Sequence, residues 1–376
     1  MMSNVKISIL GDICPTEDYR ALWDTGAAFS GIAELIKDSD LAIVNLECPA
    51  TSETTPVTKC GPCLKAEPKD MGLVARSGFN VISLANNHVK DFGEDGVLET
   101  LKRCEKYNLT YVGAGANTEE ASKARFFAVE DKKICVISFA EEEFNLASKS
   151  GAGANLFDPY TSLEYIAECK KRVDYMIVLY HGGIEHYRYP SAELRKKCHA
   201  MVRFGADLVL CQHSHCIGTF EEYEDGHILY GQGNGVYGVR EGSPAWNEGL
   251  LVDVYLGEDI GIAYTHLTAT STGIVKSDND ISRVRLAEIK KDSERLSDAA
   301  FLDKSWREFC LAQGDLDRPL FYAKDRVYIK ANRILKNKLF KTLHPKKRMM
   351  VTMNFMRCDA LREVMTTILE SDVYGE

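Results

Sequence analysis

Val-Ile-Ser-Leu-Ala-Asn-Asn-His-Val-Lys-Asp-Phe-Gly, residues 81 to 93, is the stretch that decides how the chain is read. Val81, Ile82 and Leu84 read as the end of a buried strand. Asn86-Asn87-His88 cannot continue it, so the chain turns out at the strand's carboxyl edge. That edge is where open α/β sheets bind ligands. There Asn87 can offer a neutral amide oxygen to a divalent metal, with His88 as a proton donor or charge stabiliser beside it. One tripeptide is weak evidence, so the reading turns on whether other strands end in groups that could meet it.

Several do. Lys6 to Leu10 is a β-branched run stopping at Gly11-Asp12, and Leu41 to Val44 ends in Asn45-Leu46-Glu47. Tyr175 to Tyr180 is fully apolar and ends in His181-Gly182-Gly183-Ile184-Glu185-His186. Leu208 to Cys211 ends in Gln212-His213-Ser214-His215, and Ile228 to Tyr230 in Gly231-Gln-Gly233-Asn234. Helical spacing separates them at residues 29–36, 69–77, 97–104 and 192–204, the alternation of an α/β fold. Phe126 to Val129 and Ile134 to Phe139 read as a hairpin, and residues 140–160 as a loop over one face.

Borderline divalent ions such as Mn, Fe and Zn accept mixed carboxylate, amide and imidazole ligands. The candidates are Asp12, Glu47, Asn87, His181, His213 and His215. The His-x-His spacing sends two imidazoles in alternate directions, so each can face a different ion. A carboxylate can bridge two ions held roughly 3.5 to 4 Å apart. His199, His227, His266 and His344 lack such company and read as structural. His186 lies one step beyond its strand end.

The 376 residues suffice for one large domain plus an appendage, or for two domains. A net charge of -9 argues against a nucleic-acid partner, because phosphate backbones are bound through cationic patches. No signal peptide or membrane-spanning run is visible, and 12 scattered cysteines, some in apolar strands, read as reduced thiols in a cytoplasmic protein. Cys60-Gly-Pro-Cys63 carries the spacing of a redox dithiol but sits in a polar loop, where two cysteines can also fall by chance. Gly113-Ala-Gly115 is either a phosphate cradle or a tight turn.

Gly11-Asp12, Asn45-Leu46-Glu47, Asn86-Asn87-His88 with Asp91 and Gly93, His181-Gly-Gly-x-Glu185, Gln212-His-Ser-His215 and Tyr230-Gly-x-Gly-Asn234 follow one another in a known order. This order resembles the CapA capsule-synthesis proteins, a branch of the calcineurin-like metallophosphoesterases linked to poly-γ-glutamate and other capsules. The resemblance runs from about residue 5 to 270 and implies an αββα two-sheet sandwich with a dinuclear site at its carboxyl edge. It implies Asp12, Glu47 and His215 at one ion, and Glu47 as bridge with Asn87, His181 and His213 at the other. His88 would protonate the leaving oxygen or steady the phosphoryl charge. An anionic small molecule or polymer would be the substrate, with other capsule-synthesis proteins as partners. The chain departs from the superfamily pattern at Cys14, where a histidine is usual, at Glu47, which replaces an aspartate, and at Gly182, which replaces an aromatic wall.

Residues 1–275 are assigned to this CapA-like domain and 276–376 to a C-terminal helical extension. The extension carries Lys336, Lys338, Lys341, Lys346, Lys347 and Arg348, either a solvated helical face or a dock for an anionic polymer or membrane surface. Phe355, Met356, Leu361, Val364, Met365 and Ile368 are spaced for one helix face, packed on the domain or on a second subunit.

Overall fold

The computed structural model describes residues 5–59, 61–257, 260–321 and 345–374. In chain order the first strands are β1 (Val5–Ile13), β2 (Leu41–Leu46), β3 (Val81–Ser83), β4 (Thr110–Val112), β5 (Ala114–Gly115), β6 (Arg125–Val129), β7 (Lys132–Ala140) and β8 (Gly153–Ala154). There follow β9 (Tyr175–His181), β10 (Leu208–Gln212), β11 (Phe220–Tyr223), β12 (Gly226–Leu229), β13 (Glu248–Leu256), β14 (Ile260–Thr270) and β15 (Gly273–Lys276). They form two large sheets and one short pair. The first sheet has the order β15-β14-β13-β1-β2-β3-β4, the second β11-β12-β10-β9-β7-β6, and β5 pairs with β8.

Side-chain alternation along the strands builds the layers. Ile7 and Ile9 of β1, with Leu250, Val252 and Val254 of β13, meet Val136, Ile177, Leu179, Leu208 and Leu210 of the second sheet in one apolar cluster. The opposite side of the first sheet, through Leu10, Val44 and Leu251, packs on Trp23, Phe29, Ile32, Met71, Val74 and Val97 from helices and turns. Helices Ser162–Lys170 and Ala192–Arg203 cover the outer face of the second sheet against β9 and β10. This is the expected αββα sandwich. Its central strands are parallel: β1 through β4 in one sheet, and β7, β9, β10 and β12 in the other.

The chain divides into two compact units, Met1–Pro56 with Cys63–Ser297, and Val57–Pro62 with Asp298–Glu376. Helix Asn279–Glu294 packs on β14 and β11 of the first unit, with Ile289 buried in the inter-sheet cluster. In the second unit helices Ala299–Phe321, Lys346–Arg357 and Asp359–Tyr374 pack on one another. The single helix face expected over 355–369 is corrected. Cys358, at ψ 119°, breaks the helix, and the change of phase leaves Met356 64% exposed while Phe355, Val364, Met365 and Ile368 are buried. Lys336, Lys338, Lys341, His344 and Cys60 lie outside the described residues, and the dithiol reading with them. Gly113, at φ 87°, packs where a Cβ would stand 2.6 Å from that of Ala85, which makes this a tight turn.

Two glycines let the strand ends approach closely. A Cβ on Gly11 would stand 2.4 Å from the Gly233 carbonyl oxygen, and one on Gly249 only 1.9 Å from that of Asn234. Gly249→Ala therefore forces β13 away from the Asn234 turn. The expected loss is about 1 to 3 kcal/mol of unfolding free energy, read from urea denaturation, and an unchanged midpoint would refute it.

Candidate metal centre

Parallel strands bring their carboxyl ends to a common edge. Asp12 does not follow β1, as the sequence suggests, but stays within it. The β1–β2 register slips between Leu10 and Asp12, and such a bulge re-aims a side chain. One Asp12 oxygen accepts from the Asn45 amide at 2.6 Å and the other from the His213 backbone N–H at 3.0 Å. Glu47 follows β2, Asn87 and His88 follow β3, His181 closes β9, and His213 and His215 follow β10. His213 and His215 hold φ angles of 88° and 50°, a left-handed backbone that non-glycine residues adopt at a cost of about 1 to 3 kcal/mol.

Glu47, His181 and His213 each present one ligating atom within 4.8 Å of the others, and Asp12, Glu47 and His215 do the same. Glu47 is common to both groups. Its Oε1 lies 3.2 Å from His181 Nε2, 3.9 Å from His215 Nε2 and 4.0 Å from His213 Nδ1. The Asn87 Oδ1 is 3.0 Å from His181 Nε2. All six residues singled out in the sequence thus come together. Both Glu47 oxygens and His213 Nδ1 are buried without a hydrogen-bond partner among the described residues. A buried carboxylate in that state calls for a cation, and three imidazoles with carboxylate and amide oxygens suit Mn, Fe or Zn.

His88 follows Asn87 in the turn after β3. Its Nδ1 lies 2.6 Å from Asp91 Oδ2, which also accepts from the Leu64 N–H at 2.7 Å. Asn86 accepts from the His88 N–H and donates to the Leu46 carbonyl, tying the turn after β3 to the end of β2. Asn145, from the 140–160 loop, donates to the Asn86 carbonyl. His215 Nδ1 meets Asn234 Oδ1 at 2.8 Å, and the Asn234 amide donates to the Trp246 carbonyl. Partners of this kind fix the tautomer and aim of a ligand. Tyr237 and Trp246 wall the His215 ring at 5.0 and 4.6 Å, and the Arg240 guanidinium lies over Trp246.

Asn45, Asn145, Tyr237, Trp246 and Glu141 carry contacts that the sequence does not reveal, and Asn234 stands in a motif that does not state its role. Asn45 and Asn234 were visible inside quoted motifs. Trp246 sits in a short 3-10 turn, Pro244–Asn247, and the rest in loops, where only the folded chain shows what they touch. His199 contacts Glu221 and stacks on Tyr223, His227 lies between Glu222 and Tyr264, and His266 meets Glu248. His186 is exposed, with its ring 6.3 Å from that of His215.

A family model described as "Bacterial capsule synthesis protein PGA_cap" matches residues 6–238. The chain belongs to this capsule-synthesis family. The capsule biosynthesis protein CapA of Bacillus anthracis is 27% identical over 68% of this chain and 64% of its own length. The PGA biosynthesis protein CapA of Bacillus subtilis is 27% identical over 77% and 75%. The match thus spans just under two thirds of the Bacillus anthracis relative. A 5'-nucleotidase precursor from Thermus thermophilus aligns over 79% of this chain and 60% of its own, at 12% identity and a TM-score of 0.43. Within this PGA_cap chain no described helix is long and apolar enough to cross a membrane.

The charges set a pH dependence. Burial first, then Asp12, raises the Glu47 carboxyl well above the usual carboxylate range. Burial pushes His181 and His213 down to about 4. It acts the same way on His215, but the Glu47, Glu185 and Asp12 carboxylates outweigh it and leave that imidazole raised. A divalent ion would therefore compete with protons at the Glu47 and His215 pair and find His181 and His213 already neutral. Affinity for Zn or Mn should fall about tenfold per pH unit on acidification for each proton displaced. Calorimetry in buffers of differing protonation enthalpy should register release near pH 7, and less of it in Glu47→Gln. Equal release in both proteins would contradict this assignment.

Proposed function

We propose that the chain is a metal-dependent hydrolase of a phosphoester, or of a related anionic bond, in capsule or surface-polymer metabolism, poly-γ-glutamate included. The observation that carries this reading is the Glu47 carboxylate, buried, shared by two ligand groups and without a hydrogen-bond partner among the described residues. Asp12, Glu47 and His215 would hold one ion, and Glu47, Asn87, His181 and His213 the other. Ions there supply Lewis-acid polarisation of phosphoryl oxygens. Asp91 fixes His88 through Nδ1, so Nε2 is the nitrogen that delivers a proton to the leaving oxygen. The substrate is then an anionic small molecule or polymer, and capsule-synthesis proteins are the partners.

Turnover of an aryl phosphate by protein loaded with Mn, Fe or Zn tests the reading. His88→Ala should lower kcat by about 10² to 10⁴ while metal content by elemental analysis stays unchanged. Full loading without hydrolysis across a panel of phosphoesters would reject it.

A second reading, an assembly factor that binds an acidic polymer or a synthase subunit, is favoured by one observation. Cys14, at the position where the wider superfamily usually has a histidine, is buried and belongs to neither ligand group. Polymer binding that requires the basic residues from Lys336 to Arg348 and is indifferent to His88→Ala would select it.

A further inference from the structure

Behind His181 lies a buried polar cluster to which no function has been assigned. Glu141 Oε1 accepts from Tyr180 Oη at 2.8 Å and from Lys197 Nζ at 3.1 Å, while Oε2 accepts from the Gly183 N–H at 3.1 Å. Lys197 Nζ also donates to Tyr180 Oη at 3.3 Å. The Glu141 N–H donates to the His181 carbonyl at 3.0 Å, so Glu141 grips the chain on both sides of Gly182. Glu141, Lys197 and Tyr180 are all buried. Gly182 makes room for the arrangement, because a Cβ there would stand 2.4 Å from Glu141 Cγ and 2.7 Å from Cδ. The side chain of Glu141 therefore fills the space left where an aromatic wall was expected.

A buried ion pair is a poor source of stability, since desolvation cancels most of its attraction, but it holds geometry tightly when every hydrogen bond is made. This one sits at the exit of β9, where the backbone must turn just after placing an imidazole beside Glu47. We propose that Glu141, neutralised by Lys197 and admitted by Gly182, is the positioning residue that aims His181, and that divalent-metal affinity depends on it. The proposal rests on His181 being a metal ligand. Glu141 itself belongs to neither ligand group.

The test measures Zn affinity by dye competition alongside thermal stability, with His181→Ala as reference. Glu141→Ala should weaken affinity about 10- to 100-fold, the usual effect of losing a partner of a ligand. Glu141→Gln should weaken it too, because its amide hydrogens must face either Lys197 Nζ or the Gly183 N–H. Glu141→Gln combined with Lys197→Met removes that conflict, since Tyr180 Oη can accept from the amide while Gly183 keeps its acceptor. Affinity should then recover to within about threefold, the worth of one neutral hydrogen bond. Gly182→Ala displaces the same carboxylate by bulk, and combining it with Glu141→Ala should cost no more than either alone. Should Glu141→Ala fail to fold, Gly182→Ala carries the test.

A purely structural cluster would lower thermal stability and leave affinity at the wild-type value, which overturns the proposal. Weak binding in His181→Ala with wild-type binding in the Glu141 and Gly182 variants overturns it while sparing the metal reading. Wild-type binding in His181→Ala removes His181 from the ligand set and overturns the proposal with it.

Discussion

Taking an ionised carboxylate out of water without giving it a partner costs several kcal/mol, and a protein avoids the cost unless a cation is to come. Glu47 is fully buried beside three imidazoles, and the cost shows as a carboxyl raised well above the usual range. The histidines around it do not act alike. His181 and His213 are held neutral by burial, while His215 is drawn toward the charged form by nearby carboxylates. One ring of side chains thus holds imidazoles pushed in opposite directions, two by burial and one by neighbouring carboxylates.

What surrounds the cluster follows from the need to hold it still. Asn45 braces Asp12, Asn234 braces His215, Asp91 braces His88 and Asn145 braces the turn that carries Asn87. Three of these four braces are amides, able to donate and accept without adding charge beside an already crowded set of ionisable groups. The left-handed backbone at His213 and His215 points the same way. Strain of this kind persists only where neighbouring contacts over-determine it, and the Asp12 bond to the His213 N–H is one such contact.

Much of this was legible in the sequence because parallel strands convert a one-dimensional pattern into a shared edge. An apolar run ending in Asp, Glu, Asn or His predicts a polar group at the carboxyl end of a buried strand, whatever the sequence distance to the next. Hence Asp12 and His215 could be paired across more than half the chain. The pattern says nothing about what fills the volume behind a ligand. Glu141 lies in a run of three glutamates that reads as a solvated loop, and only the fold shows its carboxylate under Gly182. Nor can spacing alone reveal a helix break such as that at Cys358, since the periodicity on either side is regular.

The donor types are divided between the sheets. Asp12, Glu47 and Asn87, all oxygen donors, hang from the first sheet, whereas His181, His213 and His215, all nitrogen donors, hang from the second. Neither sheet alone can assemble a mixed ligand set. The distance from carboxylates to imidazoles is therefore set by the apolar layer between the sheets, where Ile7, Ile9 and Val252 meet Ile177, Leu179 and Leu210. Close-packed interiors resist changes of even one methylene, which makes that layer a rigid spacer for chemistry at its rim. An ion bound across the edge would in turn staple the sheets together, so core packing and ligand geometry are one constraint seen from two ends.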